Sequence, residues 1–466
     1  MAQKQTPNYT FALIVVIVVC FLIGFVTTMN NSMIAFCKST FQLTDTQGQF
    51  VNSAFYGMYI FSILLGMLMN KIGYKNTMVG GLAIVALGFL LCYFGIGSFA
   101  GDNGLIMVPE DADAASALTT SVFFTFLGCM ACVAIGIVML QLVANPYVMV
   151  LGSPERGAFR MTLSQAINSV ATVLSPLFVA SLIVSGSSDD KTIVESIKST
   201  LSSNPLAVFE NPTAQGMAST IDPTQITHPF LGLCIFVAVL CVILALLKLP
   251  EIKEGEQSAA PTNTPDKGSV FKYPHVWFGA LAICLYMGLE IGVPSMIPAK
   301  IQSLYPNVGD HWISKIATGY LAWYWAGMMV GRFAGSAILS KFQPRSILSF
   351  CLIAGACCIA ASFVLPGMIG VYAMLLAGLF HSVMWPLVFN LGLQELGKYT
   401  KAGSGVINMG VIGGGFLTVC MGIIITHFTN AGDIQTGVSI AIGLMFVFYL
   451  YELWFCWKGS KVGLKQ

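Results

Sequence analysis

Long apolar stretches recur along the whole chain, and they constrain its fold more than any other feature of the sequence. Each is long enough to cross a bilayer as a helix, which takes about 20 residues. Twelve can be distinguished, near residues 10–36, 50–70, 77–99, 119–149, 161–186, 227–248, 274–300, 312–338, 345–366, 368–393, 403–428 and 435–457. They are continuous rather than alternating, and a backbone in hydrocarbon must satisfy its own hydrogen bonds. The pattern therefore predicts helices and excludes the strands of a barrel.

The composition is that of a protein whose solvent is lipid. Hydrophobic residues make up 56% of the 466-residue chain and charged residues 9%, against about 25% charged residues in soluble domains. The net charge of +2 offers no basic surface for nucleic acid. The 13 cysteines lie in or beside apolar stretches, as small buried side chains do, which favours neither disulfides nor a metal site. We expect an all-α polytopic membrane protein of twelve transmembrane helices, with the lipid bilayer as its partner.

One polar stretch between the sixth and seventh apolar segments divides the chain. It predicts two pseudo-symmetric six-helix bundles, over residues 1–250 and 273–466, joined by a cytoplasmic linker over residues 251–272. With both termini inside, the inner loops hold 17 of the 22 Lys and Arg residues and the outer loops five, in accord with the positive-inside rule. This arrangement predicts cytoplasmic termini and an outer loop over residues 185–227, whose role the sequence leaves open.

Two short inner loops share a pattern. Gly66–Lys75 reads GMLMNKIGYK and Ser336–Arg345 reads SAILSKFQPR. Each has a small residue at a helix end, then a cation, a turn residue and a second cation, and such cations can meet helix C-termini. The alternative is that any short inner loop is basic. The shared pattern predicts gating loops that include Gly66, Lys71, Gly73, Lys75, Lys341 and Arg345.

A few polar side chains interrupt the apolar stretches. Such groups are costly in hydrocarbon and should face the bundle interior or a water-filled cavity. They include Asn31, Gln141, Asn145, Gln165, Asn168, Glu290 and Asn390, with Trp385 nearby. Neutral amides beside an aromatic ring suit a sugar, which has hydroxyls to bond and an apolar face to stack on. The alternative is a bridge between helices, although for Gln165 and Asn168, three residues apart on one helical face, we favour the cavity.

Several function classes lack their patterns here. The sequence has no P-loop and no Ser/His/Asp cluster at motif spacing. It has no ring of charge or repeated carbonyl filter of a channel. The run Gly413–Gly415 lies in an apolar stretch, where it predicts close helix packing. We expect neither an enzyme nor a cofactor, which leaves a transporter or a sugar receptor that binds without transport.

Five stretches, in order along both halves, carry a family pattern. They are FQLTDTQGQFVNSAFYGMY (Phe41–Tyr59), ANPYVMVLG (Ala144–Gly152), FRMTLSQAINSV (Phe159–Val170), TKAGSG (Thr400–Gly405) and VIGGG (Val411–Gly415). They resemble the fucose–glucose–galactose family of sugar transporters in the major facilitator superfamily. The resemblance implies a monomeric secondary transporter of the bacterial inner membrane, which imports a neutral hexose or deoxyhexose such as L-fucose, glucose or galactose by alternating access. It also implies that Gln165 and Asn168 lie in the sugar cavity and that Trp385 is the aromatic before a proline in the tenth helix.

Two positions depart from the family pattern. Fucose members carry acids where this chain has Asn31 and Gln141, whereas glucose/galactose members share the glutamine and have a glutamate at the position of Glu290. An amide carries no proton at accessible pH. Glu290 is then the only carboxylate deep within a span, because Glu452 is expected to reach the inner interface near Lys458. The sequence thus predicts coupling to protons or sodium through Glu290, with an uncoupled facilitator as the alternative.

Overall fold

The computed structural model of the protein describes residues 10–41, 43–150, 157–184, 188–207, 220–247, 268–339, 342–396 and 399–464. The first half of the chain contains α1 (Thr10–Phe41), α2 (Asp45–Tyr56), α3 (Ser62–Gly97), α4 (Ala112–Val150), α5 (Gly157–Val184), α6 (Ser188–Ser203) and α7 (Thr224–Leu246). The second half contains α8 (Pro274–Glu290), α9 (Gly292–Leu304), α10 (Asp310–Leu339), α11 (Pro344–Val364), α12 (Gly367–His381), α13 (Met384–Gly392), α14 (Thr400–Met409), α15 (Gly413–Asn430) and α16 (Ile434–Trp457). Two short strands, β1 (Ile106–Met107) and β2 (Thr220–Ile221), pair antiparallel.

All twelve apolar stretches form helices, which confirms the predicted membrane-spanning architecture. Within the described residues, nine helices are long and apolar enough to cross a membrane, and the bent pair of α12 and α13 makes a tenth. The other two stretches form α5 and α10, which are 28 and 30 residues long. At 1.5 Å per residue each exceeds the hydrocarbon thickness of about 30 Å.

Several spans are broken near their middle. A short 3₁₀ turn over Gly57–Phe61 separates α2 from α3, and another over Gly410–Ile412 separates α14 from α15. α8 ends at Glu290 and α9 begins at Gly292, while α12 and α13 meet at an angle of 42°. A break leaves backbone groups without partners in their own helix, so side chains or ligands must bond them.

Gly73 makes the turn between the second and third spans. Its φ of 81° and ψ of 167° interrupt the helical conformation of α3. Glycine adopts a positive φ without the steric cost that a Cβ would bring. The tight turn predicted over Gly66–Lys75 is therefore present.

The two halves touch in the interior, where α5 packs on α10, and also towards one end of the bundle. We call the end where α1 begins and α16 ends the terminal face, and the other end the opposite face. Towards the opposite face α2 packs closely on α15: a Cβ on Gly415 would lie 2.9 Å from the Cα of Ser53. Nearer that face, the hydroxyl oxygens of Thr46 and Thr426 are 2.9 Å apart. The glycine run thus permits the close helix packing that the sequence predicts.

The segment between α5 and α7 crosses from the first half to the second. The Tyr372 hydroxyl on α12 donates to the carbonyl of Leu201 at the end of α6, at 3.3 Å. The backbone N–H of Met368 donates to the carbonyl of Pro205 at 3.0 Å, which satisfies an N–H in the first turn of α12. The described part of residues 185–227 therefore forms a strap between the halves, and we call residues 188–207 the α6 strap.

The predicted linker lies mostly outside the described residues. Residues 248–267 belong to the part of the chain that the structure leaves undescribed, so the boundaries of the linker over residues 251–272 stay predictions. Val270–Lys272 forms a short 3₁₀ helix directly before α8.

Candidate substrate site between the two halves

An arginine connects the two halves in the interior of the bundle. Arg332 on α10 donates from Nη1 to Asn168 Oδ1 at 3.3 Å and to Ser169 Oγ at 2.9 Å, both on α5. Its Nη2 lies 3.8 Å from Glu290 Oε1 at the end of α8. The side chains are 19% exposed for Arg332 and 11% for Glu290, so water screens this pair only in part. Charge and hydrogen bonds therefore connect an amide of the first half with a carboxylate of the second.

Contacts with α1 hold Asn168 in the orientation that this bridge requires. Its Nδ2 donates to the carbonyl of Cys20 at 2.8 Å, which leaves Oδ1 facing Arg332. Gly24 permits the close approach of α1 and α5, since a Cβ there would lie 2.7 Å from Asn168 Nδ2. The amide is thus positioned before any ligand binds.

Arg332 is a site residue that the sequence pattern did not indicate. It was counted among the 17 inner-loop cations, because it stands near the end of the stretch over residues 312–338. In the structure α10 continues to Leu339, so Arg332 lies about two turns inside the helix. The count of inner-loop cations is therefore one too high. The position of Arg332 in the sequence could have indicated its role, because a cation two turns within a span needs a partner.

Pro294 accounts for the break beside Glu290. In an unbroken helix the Glu290 carbonyl would accept a hydrogen bond from the N–H of residue 294, and proline has none. The Tyr324 hydroxyl donates to this carbonyl instead, at 3.1 Å. The Tyr324 hydroxyl oxygen also lies 2.7 Å from Nδ1 of His381. The other ring nitrogen of His381, Nε2, lies 2.6 Å from the Tyr449 hydroxyl oxygen.

These contacts are compatible with one arrangement of protons. The single hydroxyl proton of Tyr324 is directed to the Glu290 carbonyl, so Nδ1 of His381 must donate to the Tyr324 oxygen. Nε2 then accepts from Tyr449, and the ring is neutral. His381 thereby orients Tyr324 and supports the backbone that carries Glu290.

Asn31 connects α1 with the other side of the same break. Its Nδ2 donates to Ser295 Oγ at 2.7 Å, and Asn52 Nδ2 donates to the same oxygen at 3.1 Å. The Ser295 hydroxyl donates to the Ile291 carbonyl at 2.7 Å. Asn31 thus bridges two helices, which is the role that the alternative to a cavity assigned to such polar residues. Its Oδ1 is buried and accepts no hydrogen bond from the described residues, so it can accept one from a ligand.

The two predicted glutamines lie on neighbouring helices of the first half. Gln141 on α4 accepts from the Tyr59 hydroxyl at 2.7 Å. Gln165 is half-buried one turn before Asn168 and Ser169 on α5. Gln165 and Asn168 therefore belong to the helix that meets Arg332.

The remaining predicted side chains do not join this cluster in the described contacts. Trp385 on α13 is half-buried and stacks on Phe389, with ring centroids 4.8 Å apart and an interplanar angle of 11°. Asn390 is exposed on the same helix, and the side chain of Asn145 lies outside the part of the chain that is described. α13 packs on α8 and α11, away from the contact of α5 with α10.

The basic residues of the terminal-face turns contact other helices. Lys75 Nζ donates to the carbonyl of Ala245 near the C-terminus of α7 at 2.8 Å. Arg345 Nη2 donates to Gln394 Oε1 at 3.2 Å and to Ser460 Oγ at 3.3 Å. Favourable contact of cations with helix C-termini is the expected use of such residues. Gly66 lies near the end of the second span, Lys71 lies at the start of the third, and Lys341 lies outside the described residues.

Glu452 corrects one expectation from the sequence. It was expected to reach the interface near Lys458, but its side chain is 0% exposed. Neither carboxyl oxygen has a hydrogen-bond partner within the described residues. The expectation was wrong because this face of α16 packs on α8, which directs the side chain into the protein. Glu290 is therefore not the only carboxylate deep within a span.

The site contains hydrogen-bonding groups and one ion pair. In the described part of the chain, no group of three His, Cys, Asp or Glu residues could hold a metal ion, and the 13 cysteines are free thiols. Amides, hydroxyls and a guanidinium at these distances can bind a neutral polar ligand from two sides.

Known proteins share both the sequence pattern and the fold. The Major Facilitator Superfamily matches residues 16–419 of the chain. The chain is 31% identical over 460 residues to a glucose/galactose transporter of Brucella abortus, covering 98% of this chain and 96% of that protein. It is 25% identical over 448 residues to the L-fucose-proton symporter of Escherichia coli, covering 95% and 93%.

A solved structure agrees in architecture. The crystal structure of the Major Facilitator Superfamily transporter FucP in the outward conformation matches with a TM-score of 0.61 and 22% identity, over 96% of this chain and 99% of that chain. At this identity the likeness concerns the fold. With the family match over residues 16–419, these findings confirm the resemblance seen in the sequence: the chain belongs to the Major Facilitator Superfamily.

Proposed function

We propose that the protein is a secondary active transporter that imports a neutral hexose or deoxyhexose across the bacterial inner membrane by alternating access. The observation that carries the proposal is the bridge of Arg332 to Asn168 and Ser169 in one half and to Glu290 in the other. A substrate between the halves would exchange hydrogen bonds with groups of both, which makes binding sensitive to their relative position.

The chemistry of the substrate follows from the groups that surround this bridge. Asn31 Oδ1 and the Tyr56 hydroxyl are buried polar atoms without a partner in the described residues, and a sugar hydroxyl can bond either. The matched relatives are named for glucose/galactose and for L-fucose transport. We therefore propose an uncharged sugar of that class rather than an ionic substrate.

The proposed sugar site combines the predicted residues with the arginine that the structure adds. It comprises Asn31, Gln141, Asn145, Gln165 and Asn168 from the first half, and Arg332, Trp385 and Asn390 from the second. In this proposal Trp385 and Asn390 join the site when the halves move, because in the present conformation their helix lies apart from α5. The protein acts as a monomer with both termini in the cytoplasm, and the terminal-face turns at Gly66–Lys75 and around Arg345 serve as gates.

Glu290 is the proposed coupling residue. When ionised, it attracts Nη2 of Arg332, which lies 3.8 Å away, while Nη1 bonds Asn168 and Ser169 on α5. When protonated, it loses most of this attraction, and Arg332 is held by the amide and hydroxyl of α5. A proton on Glu290 thus changes how strongly the two halves are connected, which is the requirement for coupling a proton to their movement. The relative in Escherichia coli is named a proton symporter.

Counterflow in proteoliposomes tests the proposed function. Purified protein is reconstituted, loaded with unlabelled sugar and assayed for uptake of labelled L-fucose, glucose, galactose and N-acetylated sugars. We expect Gln165→Ala to reduce counterflow by at least about tenfold, a loss of roughly 1.4 kcal/mol in binding. Gln435→Ala removes the same amide at an exposed position at the start of α16, and it should leave counterflow unchanged. Equal activity of the two variants would contradict the site.

Accumulation against a gradient tests the coupling. We expect Glu290→Gln to keep counterflow, because glutamine retains hydrogen bonding, and to lose accumulation driven by a pH gradient. If Glu290→Gln accumulates sugar as the wild type does, coupling through Glu290 is wrong. If the wild type itself equilibrates sugar without accumulation, the protein is the uncoupled facilitator. Binding without any flux would identify the receptor.

A further inference from the structure

A second carboxyl group lies inside the last six spans, and the proposed sugar site does not use it. Glu452 is on the face of α16 that also carries Phe448 and Phe455, one turn before and after it. A Cβ on Gly288 would lie 2.9 Å from the Phe448 ring, and one on Gly279 would lie 3.5 Å from the Phe455 ring. Because these glycines belong to α8, Glu452 faces α8 between them.

No charged group near Glu452 compensates a negative charge, and the backbone of Tyr286 on α8 interacts with its carboxyl group without a well-formed hydrogen bond. It is 0% exposed, and both carboxyl oxygens lack a hydrogen-bond partner in the described residues. The titratable groups that interact with it are Cys284 on α8 and Tyr451 and Cys456 on its own helix. All three are neutral at neutral pH in their ordinary state.

The nearest cations are directed elsewhere. Arg345 and Lys461 lie close to Cys456, and Arg345 donates its hydrogen bonds to Gln394 and Ser460. No ion pair of the described chain includes Glu452. An ionised carboxylate that no cation or well-formed hydrogen bond compensates is strongly unfavourable in a membrane interior, whereas a neutral acid is tolerated.

The packing around Glu452 leaves little room for exchange with water. A Cβ on Gly410 would overlap the carbonyl of Ala280, and one on Gly413 would overlap the carbonyl of Cys284. The junction of α14 and α15 is therefore in backbone contact with α8 along the part that Glu452 faces. By contrast, Glu290 lies beside Arg332 at the contact between the halves, where the proposed movement opens and closes the structure.

We propose that Glu452 is a proton-binding site within the second half, that its carboxyl group is protonated in this conformation, and that it keeps this proton while Glu290 exchanges its own. The second part rests on the proposed transport function; the first part does not. Two carboxyl groups on neighbouring helices then have separate roles, because one faces the moving contact and the other a closed interior.

Infrared difference spectroscopy of the full-length protein in lipid membranes tests the protonation. We expect a carboxylic-acid C=O band that Glu452→Gln removes and that stays constant from mildly acidic to mildly alkaline pH. Glu290→Gln is the comparison, and the band that it removes should depend on pH. Absence of an acid band assigned to Glu452, or its conversion to a carboxylate within that range, would overturn the proposal. Glu452→Leu serves the same purpose if the glutamine variant does not fold.

Proton uptake on addition of sugar tests the second part. With an indicator dye in weak buffer, Glu452→Gln should take up as many protons per bound sugar as the wild type, whereas Glu290→Gln should take up none. Loss of uptake in Glu452→Gln would show that its proton is exchanged and would contradict the proposal. If the wild type shows no uptake, the coupled transport function fails, while the infrared result still decides whether Glu452 is protonated.

Discussion

At the scale of single residues, one guanidinium determines which polar contacts are possible between the halves. Arg332 has a fixed fork of donors, and the structure uses one arm for α5 and the other for Glu290. Lysine could not reproduce this, because its ammonium is a point charge without the planar fork. Replacing Arg332 by lysine therefore keeps the positive charge and removes the planar arrangement of donors.

We predict that Arg332→Lys weakens sugar binding by about tenfold or more, because a charge-assisted hydrogen bond is worth about 1.5–3 kcal/mol. Asn168→Ala should weaken binding similarly. The double variant should be much less affected than the sum of the two, since both changes remove one contact. Equilibrium binding of labelled sugar measures all three variants, and additive losses would contradict a shared contact.

At the scale of helices, breaks within the spans position the site. Pro294 removes the donor for the Glu290 carbonyl, and Tyr324, oriented by His381, replaces it. Further along the chain, the glycines of α15 allow α2 to approach its backbone. We therefore expect a change at a helix break to affect stability and a change at a close glycine contact to affect transport.

We predict that Tyr324→Phe lowers thermal stability, because it leaves the Glu290 carbonyl and Nδ1 of His381 without a partner. An unsatisfied buried group costs about 1–3 kcal/mol. Tyr93→Phe is the matched control, as the Tyr93 hydroxyl makes no hydrogen bond within the described residues. Thermal unfolding in detergent measures the difference. An equal melting temperature for both variants would contradict the role of Tyr324.

We predict that Gly415→Ala slows transport by separating α2 from α15, because the new Cβ would lie 2.9 Å from the Cα of Ser53. Such an approach to backbone forces a shift. In Gly443→Ala the Cβ meets nothing within 4 Å, so this control should transport at the wild-type rate. Initial uptake rates at equal protein density compare the two, and indistinguishable rates would exclude a role for this contact.

At the scale of the whole molecule, the opposite face is closed in this conformation. Thr46 and Thr426 join the halves there, and the α6 strap of the first half bonds α12 of the second. Alternating access requires these contacts to separate, so the opposite face must open during a transport cycle. The contacts along this face must therefore break and re-form during the cycle, whereas those within each half can persist.

We predict that a disulfide between Thr46→Cys and Thr426→Cys stops transport, because it fixes the halves where their hydroxyls are 2.9 Å apart. Oxidation should abolish uptake and a reductant should restore it. Each single substitution under the same oxidation is the control for the native cysteines. Full uptake by the oxidised, cross-linked protein would contradict the proposed movement.

More of the fold than of the candidate site could be predicted from the sequence. Hydrophobicity is a local property, so the spans and the tight turn at Gly73 are visible in the chain itself. Asn168 could be proposed from the sequence because an amide in a span is unusual. Arg332 was not, because its place inside α10 depends on where that helix ends, and Glu452 was misjudged because side-chain direction depends on the neighbouring helix.

By itself, the sequence determined that the chain is a twelve-span membrane protein with uncharged polar groups in its interior, because lipid excludes any other use of such long apolar stretches. Only the tertiary structure decided which of those groups meet. The bridge from Asn168 through Arg332 to Glu290 joins residues far apart in the chain, and helix packing rather than local pattern brings them within hydrogen-bond distance. The isolation of Glu452 has the same origin, since burial is a property of the assembled bundle.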